Sequence, residues 1–126
     1  MTTKGRVLIV DDDADIRTVV ATALEASGFH VDAMRDGIDA LDLHDQSYDA
    51  VLLDLQMPIF DGERLFDYWS LTHPALLDRV IVMTGYSHRR WQPSSKPFAT
   101  VLKPFEYQSI VEVVQKCVLA HTEKES

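Results

Sequence analysis

Two alternating rhythms constrain this chain more than anything else in it. Five short runs, "RVLIV" (6–10), "FHVDAM" (29–34), "YDAVLLDL" (48–55), "RVIVMT" (79–84) and "FATVL" (98–102), have the length and β-branched content of strands. The segments between them keep a different period. In "DDDADIRTVVATALEASG" (11–28), Ile16, Val19, Val20, Ala23 and Leu24 recur at i, i+3, i+4, i+7 and i+8, the stripe of a helix buried on one side. An Asp of the 11–13 group can cap its start and Gly28 can end it. "DGIDALDLHDQ" (36–46) reads as a shorter helix with Ile38, Leu41 and His44 turned inward, and "DGERLFDYWSLT" (61–72) offers Leu65, Phe66 and Trp69. A last helix covers about 106–120, where Ile110, Val113, Val114, Cys117 and Val118 repeat the first stripe and make Cys117 a core thiol.

Strand and helix in alternation mean βαβ units and a parallel sheet, with right-handed crossovers placing helices on both faces. Covered on both faces, the strands can be apolar throughout. The chain's 126 residues are too few for an eight-stranded barrel. The expected class is α/β, an open, doubly wound sheet of five parallel strands in the order 2-1-3-4-5, forming one domain over residues 1–126. A net charge of −8 argues against a surface built for nucleic acid. No apolar run is long enough to span a bilayer, and "MTTKGR" does not open a secretory signal. A single cysteine excludes an internal disulfide and fits a reducing compartment, so the expected location is cytoplasmic.

In such a sheet the loops at the carboxyl ends of the strands form the functional crevice. Asp11, Asp12 and Asp13 follow the first strand, Asp54 ends the third, Thr84 the fourth and Lys103 the fifth. Each has a bland explanation alone: Asp13 as a helix cap, Asp54 as a solvated strand end, Thr84 as turn chemistry before Gly85, Lys103 as a surface lysine before Pro104. Their arrival at one edge is harder to dismiss. Two carboxylates about 4 Å apart repel by about 4 kcal/mol at an effective dielectric near 20. One lysine does not offset three of them. An all-oxygen site with room for water suits Mg2+, which shares its shell readily with a phosphoryl group. No His or Cys is placed for zinc or copper.

"VLIVDDDADIR", "VLLDLQMPIFDG", "VIVMTG" and "VLKPF" resemble, in order and spacing, the signature segments of response-regulator receiver domains of two-component signalling. The resemblance covers nearly the whole chain and implies a flavodoxin-like (βα)5 fold. It implies that Asp54 is the phosphoacceptor, that Asp12 is a direct metal ligand with Asp11 helping to hold the ion, and that the backbone carbonyl of Gln56 completes the protein ligands to Mg2+ or Mn2+. Thr84 would bind a phosphoryl oxygen, and Lys103 would pair first with the acceptor carboxylate and then with the phosphoryl group. The Lys103–Pro104 bond would be cis. The implied partner is a histidine kinase or a histidine phosphotransfer protein, with no direct role for nucleic acid or membrane. The implied activity is that of a phosphoacceptor signalling domain, not an enzyme. Gln56 and Tyr86 sit where the family tunes the lifetime of the acyl phosphate.

The chain departs from the family between Thr84 and Lys103, which are nineteen positions apart, fewer than in a typical receiver. Pro93 and Pro97 forbid a regular helix there, so the helix after the fourth strand is expected to be short or missing. Thr100 stands where the family places its switch aromatic, and Phe98 lies two residues earlier. This abbreviated form resembles receivers of hybrid sensor kinases, and a monomer is expected. "SHRRWQP" (87–93) reads first as a solvated loop, then as a partner contact, and last as a nucleic-acid contact. Two other functions compete. A haloacid-dehalogenase-like phosphatase would use the D-x-D at Asp11 and Asp13, although the Gly-Thr that should follow is absent. A receiver-like binding module would keep the fold without phosphorylation. A flavodoxin fits least, since no Ser/Thr/Gly-rich phosphate loop follows "RVLIV".

Overall fold

The computed structural model describes residues 3–41, 48–58, 60–85, 91, 93 and 95–125. The elements in chain order are β1 (Arg6–Val10), α1 (Ala14–Ala26), β2 (His30–Met34), β3 (Ala50–Asp54), α2 (Gly62–Thr72), a 3-10 helix (Pro74–Arg79), β4 (Val80–Thr84), β5 (Ala99–Leu102) and α3 (Tyr107–Glu125). The five strands form one parallel sheet in the order β2-β1-β3-β4-β5, as expected. Register pairs such as Val7 with Ala50, Leu52 with Ile81, and Thr84 with Leu102 bring the carboxyl ends of the four neighbouring strands β1, β3, β4 and β5 to one edge.

Alternation along the strands divides the core in two. Val7, Ile9, Ala50, Leu52, Ile81 and Met83 face one way and pack with Val20 and Leu24 of α1 and Ile110, Val114 and Cys117 of α3. Leu8, Val10, Val51, Leu53, Val80 and Val82 face the other way, against Leu65, Phe66 and Trp69 of α2 and Leu76 and Leu77 of the 3-10 helix. Three helical stripes read from the sequence are therefore the stripes that the fold buries. Cys117 is fully buried, and burial pushes its thiol up to about 12, in keeping with a core residue.

The helix starts have local causes. The Asp13 carboxylate accepts from the amides of Asp15 at 2.9 Å and Ile16 at 3.2 Å, so Asp13 is the N-cap of α1. Asp61 does the same for α2, accepting from the Arg64 amide at 2.9 Å. Such caps stabilise a helix by about 1 kcal/mol each. Past the end of α1, Gly28 takes a φ of 101°, a conformation that a side chain would resist.

Three expectations need correction. The described part of the helix read over 36–46 consists of bends and turns, and Ile38, read as inward, is 51% exposed. Leu41 does pack on the core, whereas His44 lies outside the described residues. The segment read as a solvated loop supplies a core contact: Trp91 packs edge-on against Phe66, with ring centroids 5.2 Å apart at 88°. The strands are also not all buried on both faces. In β5, Thr100 and Leu102 are exposed while Ala99 and Val101 pack inward, because no helix lies over that side among the described residues. The 3-10 helix was not foreseen. Between β4 and β5, none of the described residues is helical, as the prolines require.

Candidate functional site

Every strand but the edge strand β2 delivers a polar side chain to the same edge. Asp11 directly follows β1 and is fully buried; Asp54 is the last residue of β3 and only 2% exposed. The solvated-strand-end explanation of Asp54 therefore fails. The Lys103 ammonium lies between the two acids, 3.0 Å from Asp11 Oδ2 and 3.3 Å from Asp54 Oδ1. Lys103 is placed there by β5 and by its own amide, which donates to the Thr84 carbonyl at 2.8 Å. The Lys103–Pro104 bond is cis, as expected.

The acids are held by main chain as well. Asp11 Oδ1 accepts from the Asp13 amide at 2.9 Å, and Asp54 Oδ1 accepts from the Gln56 amide at 3.1 Å. Asp12 is exposed, yet carboxylate oxygens of Asp11, Asp12 and Asp54 all lie within 4.8 Å of one another. Asp13 is next in sequence but is committed to capping α1. Thr84 is buried at the end of β4, and its hydroxyl donates to the Gly85 carbonyl at 3.0 Å rather than into the acidic cluster. The Gln56 side chain is exposed. Tyr86 lies outside the described residues.

Electrostatics follow from this crowding. Burial, and then the neighbouring Asp11 charge, raise the Asp54 carboxyl to about 7, against the opposing pull of the Gln56 amide and Lys103. For Lys103, burial works against the charge, but the hydrogen bond it donates to Asp11 and the charges of Asp54 and Asp11 outweigh it, so its pKa moves upward. The site thus holds one firmly charged cation against more negative charge than it can neutralise. That excess suits a hard divalent cation coordinated by oxygen.

Two residues beside the site were not singled out from the sequence. A Cβ on Gly62 would collide with the Asp54 carbonyl oxygen and come within 2.7 Å of the Leu55 Cα. Gly62 thereby lets α2 start directly against the chain that carries Asp54, and the "DG" at its N-terminus was the available signal. The second is Arg17, whose Nη1 donates to the Asp11 carbonyl at 2.7 Å. Its signal was a cation in the first turn of a helix, where the macrodipole disfavours one.

The sequence profile of the response regulator receiver domain matches residues 7–115 of this chain. The chain belongs to that family. Response regulator receiver protein CpdR of Brucella abortus strain 2308 is 29% identical over 119 residues, covering 91% of this chain and 98% of that protein. The DNA-binding transcriptional regulator NtrC of Escherichia coli K12 is 31% identical over 126 residues, 97% of this chain, which spans only 26% of NtrC. Among solved structures, response regulator protein TrrA of Thermotoga maritima, in complex with Mg2+ and BeF, superposes with a TM-score of 0.77 at 30% identity, over 90% of this chain and 98% of that one. This is the receiver domain of a two-component response regulator. Receiver domains of such systems interact with histidine kinases. No helix among the described residues of this receiver is long and apolar enough to cross a membrane.

Proposed function

We propose that this receiver accepts a phosphoryl group from a phosphohistidine onto Asp54, with the donor a histidine kinase or a histidine phosphotransfer protein. The observation that carries the reading is the bridge of Lys103 across Asp11 and Asp54 inside a cluster of three mutually close carboxylates. Hard oxygen donors in that number, two of them buried, fit Mg2+ or Mn2+; Asp11, Asp12 and Asp54 would hold the ion together with the Gln56 carbonyl. When bound, the ion supplies charge neutralisation to the phosphoryl oxygens.

The chain's own residues account for the rest. Asp54, ionised, is the nucleophile: an Asp54 oxygen forms the new O–P bond as the N–P bond of the donor breaks, and the leaving imidazole keeps the electron pair and takes a proton from solvent. The Gln56 amide orients the Asp54 carboxylate through Oδ1, leaving its other oxygen to attack. Lys103, already within reach of both acids, can follow the growing charge onto the phosphoryl group. Thr84 would turn its hydroxyl from Gly85 to a phosphoryl oxygen. Water later hydrolyses the acyl phosphate, with Gln56 and Tyr86 setting its access. This is a reversible signal carried by a receiver domain over residues 1–126, acting in the cytoplasm as a monomer, not multiple-turnover catalysis.

Intact-mass measurement after treatment with acetyl phosphate and Mg2+ tests the reading. One phosphoryl group should add to the protein, removal of Mg2+ with EDTA should prevent it, and Asp54→Asn should abolish it. Full phosphate uptake by Asp54→Asn would refute the role given to Asp54.

A further inference from the structure

Of the three clustered carboxylates, Asp12 is the one whose side chain makes no hydrogen bond or ion pair among the described residues. Asp11 is fixed by Lys103 and the Asp13 amide, and Asp54 by Lys103 and the Gln56 amide. Asp12 is exposed. The direction of its carboxylate is therefore set by the main chain that carries it, above all by the peptide joining Asp11 to Asp12. That peptide begins just past the end of β1, where ladder bonding ceases: the Asp11 amide still donates to Met34 at 3.1 Å, but the Asp11 carbonyl has left the sheet.

The partner of that carbonyl is Arg17. From the first turns of α1 its guanidinium reaches back to the Asp11 oxygen at 2.7 Å, a short bond with a charged donor, and the side chain is half-buried there. A cation at this end of a helix is unfavourable to the macrodipole, so the position breaks a local preference of α1. Residues that break a local rule beside a site are where a functional demand is expected.

Resting on the phosphoacceptor reading, we infer that Arg17 is a positioning residue: by fixing the Asp11–Asp12 peptide plane it aims the Asp12 carboxylate into the Mg2+ site. The inference makes a prediction whose sign separates it from simple charge. As a charge alone, Arg17 is a cation beside a cation site, and removing it should tighten Mg2+ binding. As an orienting group, its removal should loosen binding, because Asp12 then samples directions that do not meet the ion.

Calorimetric titration of Mg2+ into the wild-type protein, Arg17→Met and Arg17→Lys decides between them. Loss of an outer partner to a ligand costs about tenfold in metal affinity, and Arg17→Met should bind weaker by that order. Arg17→Lys keeps the charge but not the rigid planar fork, and should bind several-fold weaker than wild type. In metal-free protein, NMR hydrogen exchange at the Asp12 and Asp13 amides should speed up in both variants, a readout independent of any ion. Arg17→Met binding as tightly as wild type, or tighter, overturns the inference. So does Arg17→Lys with wild-type affinity and wild-type exchange, which also settles the matter should Arg17→Met fail to fold. A wild-type protein that binds no Mg2+ defeats the phosphoacceptor reading instead, and the amide exchange still tests Arg17.

Discussion

On one side of the sheet, α1 and α3 lie over every strand they reach, and the inward residues of β1, β3 and β4 are wholly buried beneath them, with Ala99 and Val101 of β5 packed alongside. On the other side, α2 and a short 3-10 helix cover the middle of the sheet, while Thr100 and Leu102 of β5 stay exposed and Trp91 fills part of the gap by leaning on Phe66. The difference teaches where a receiver of this length economises. The acidic site needs β1, β3, β4 and β5 in register and α1 seated to hold the Asp11–Asp13 turn. It does not need a regular helix between β4 and β5, where none of the described residues is helical.

The largest test of this contrast compares core truncations. Leu24→Ala beneath α1 and Trp69→Ala beneath α2 each remove a fully buried side chain, and each should cost about 3–5 kcal/mol in urea unfolding. Trp91→Ala removes an indole that is only partly buried and packs edge-on against Phe66 at the margin of that core, and should cost about 1–2 kcal/mol. A Trp91→Ala loss equal to that of Trp69→Ala would show the second face to be closed as firmly as the first.

That same contrast decided what could be read from the sequence. The stripes of α1, α2 and α3 were legible because each buries one side against a sheet, so the spacing of Val20 and Leu24, or of Leu65, Phe66 and Trp69, directly records the contact. The site was legible because Asp11, Asp12, Asp54, Thr84 and Lys103 each follow or end a strand, and a parallel sheet brings such positions together. Ile38 misled because an i, i+3 pair in a short segment fits a helix and a turn equally, and only tertiary contacts choose between them. Trp91 was hidden for the opposite reason: packed from an irregular segment, it leaves no periodic trace. Arg17 and Gly62 were visible as residues, but their roles depend on two carbonyl oxygens that sequence does not display.

A chemical probe sharpens the comparison at lower energy. Cys117 lies on the closed side, fully buried, with its thiol pushed up to about 12 by burial, and should resist maleimide in native protein at neutral pH while reacting fully in denaturant. Leu102→Cys places a thiol on the open side, at a position 61% exposed, and should be labelled at the rate of a free thiol. Reaction of Cys117 in the native state, or protection at position 102, would reverse the assignment of closed and open sides.

The smallest effect concerns how the open side is finished at β2. There Asp32 accepts from the Tyr48 hydroxyl at 2.7 Å and from Arg6 at 3.1 Å, with Arg6 also lying 5.1 Å from the centre of the Tyr48 ring. The Tyr48 hydrogen bond is the largest influence on the Asp32 carboxyl; burial, next in size, opposes it, and Arg6 and His30 help Tyr48 to hold the group below its ordinary 3.8. A carboxylate whose pKa is depressed on folding contributes its stability above the unfolded value and loses it as pH falls through the folded one. The contribution is thus complete above pH 3.8 and fades only in more acidic solution. Because the side chain is 35% exposed, water screens it, and the whole effect should stay under about 1 kcal/mol. Tyr48→Phe keeps the buried ring and removes only the hydroxyl, so its unfolding curve should fall slightly below wild type at pH 6 and converge with it toward pH 3. Curves that stay parallel across that range would mean that the hydroxyl stabilises β2 without help from the Asp32 charge, and that this edge of the open side is closed by packing after all.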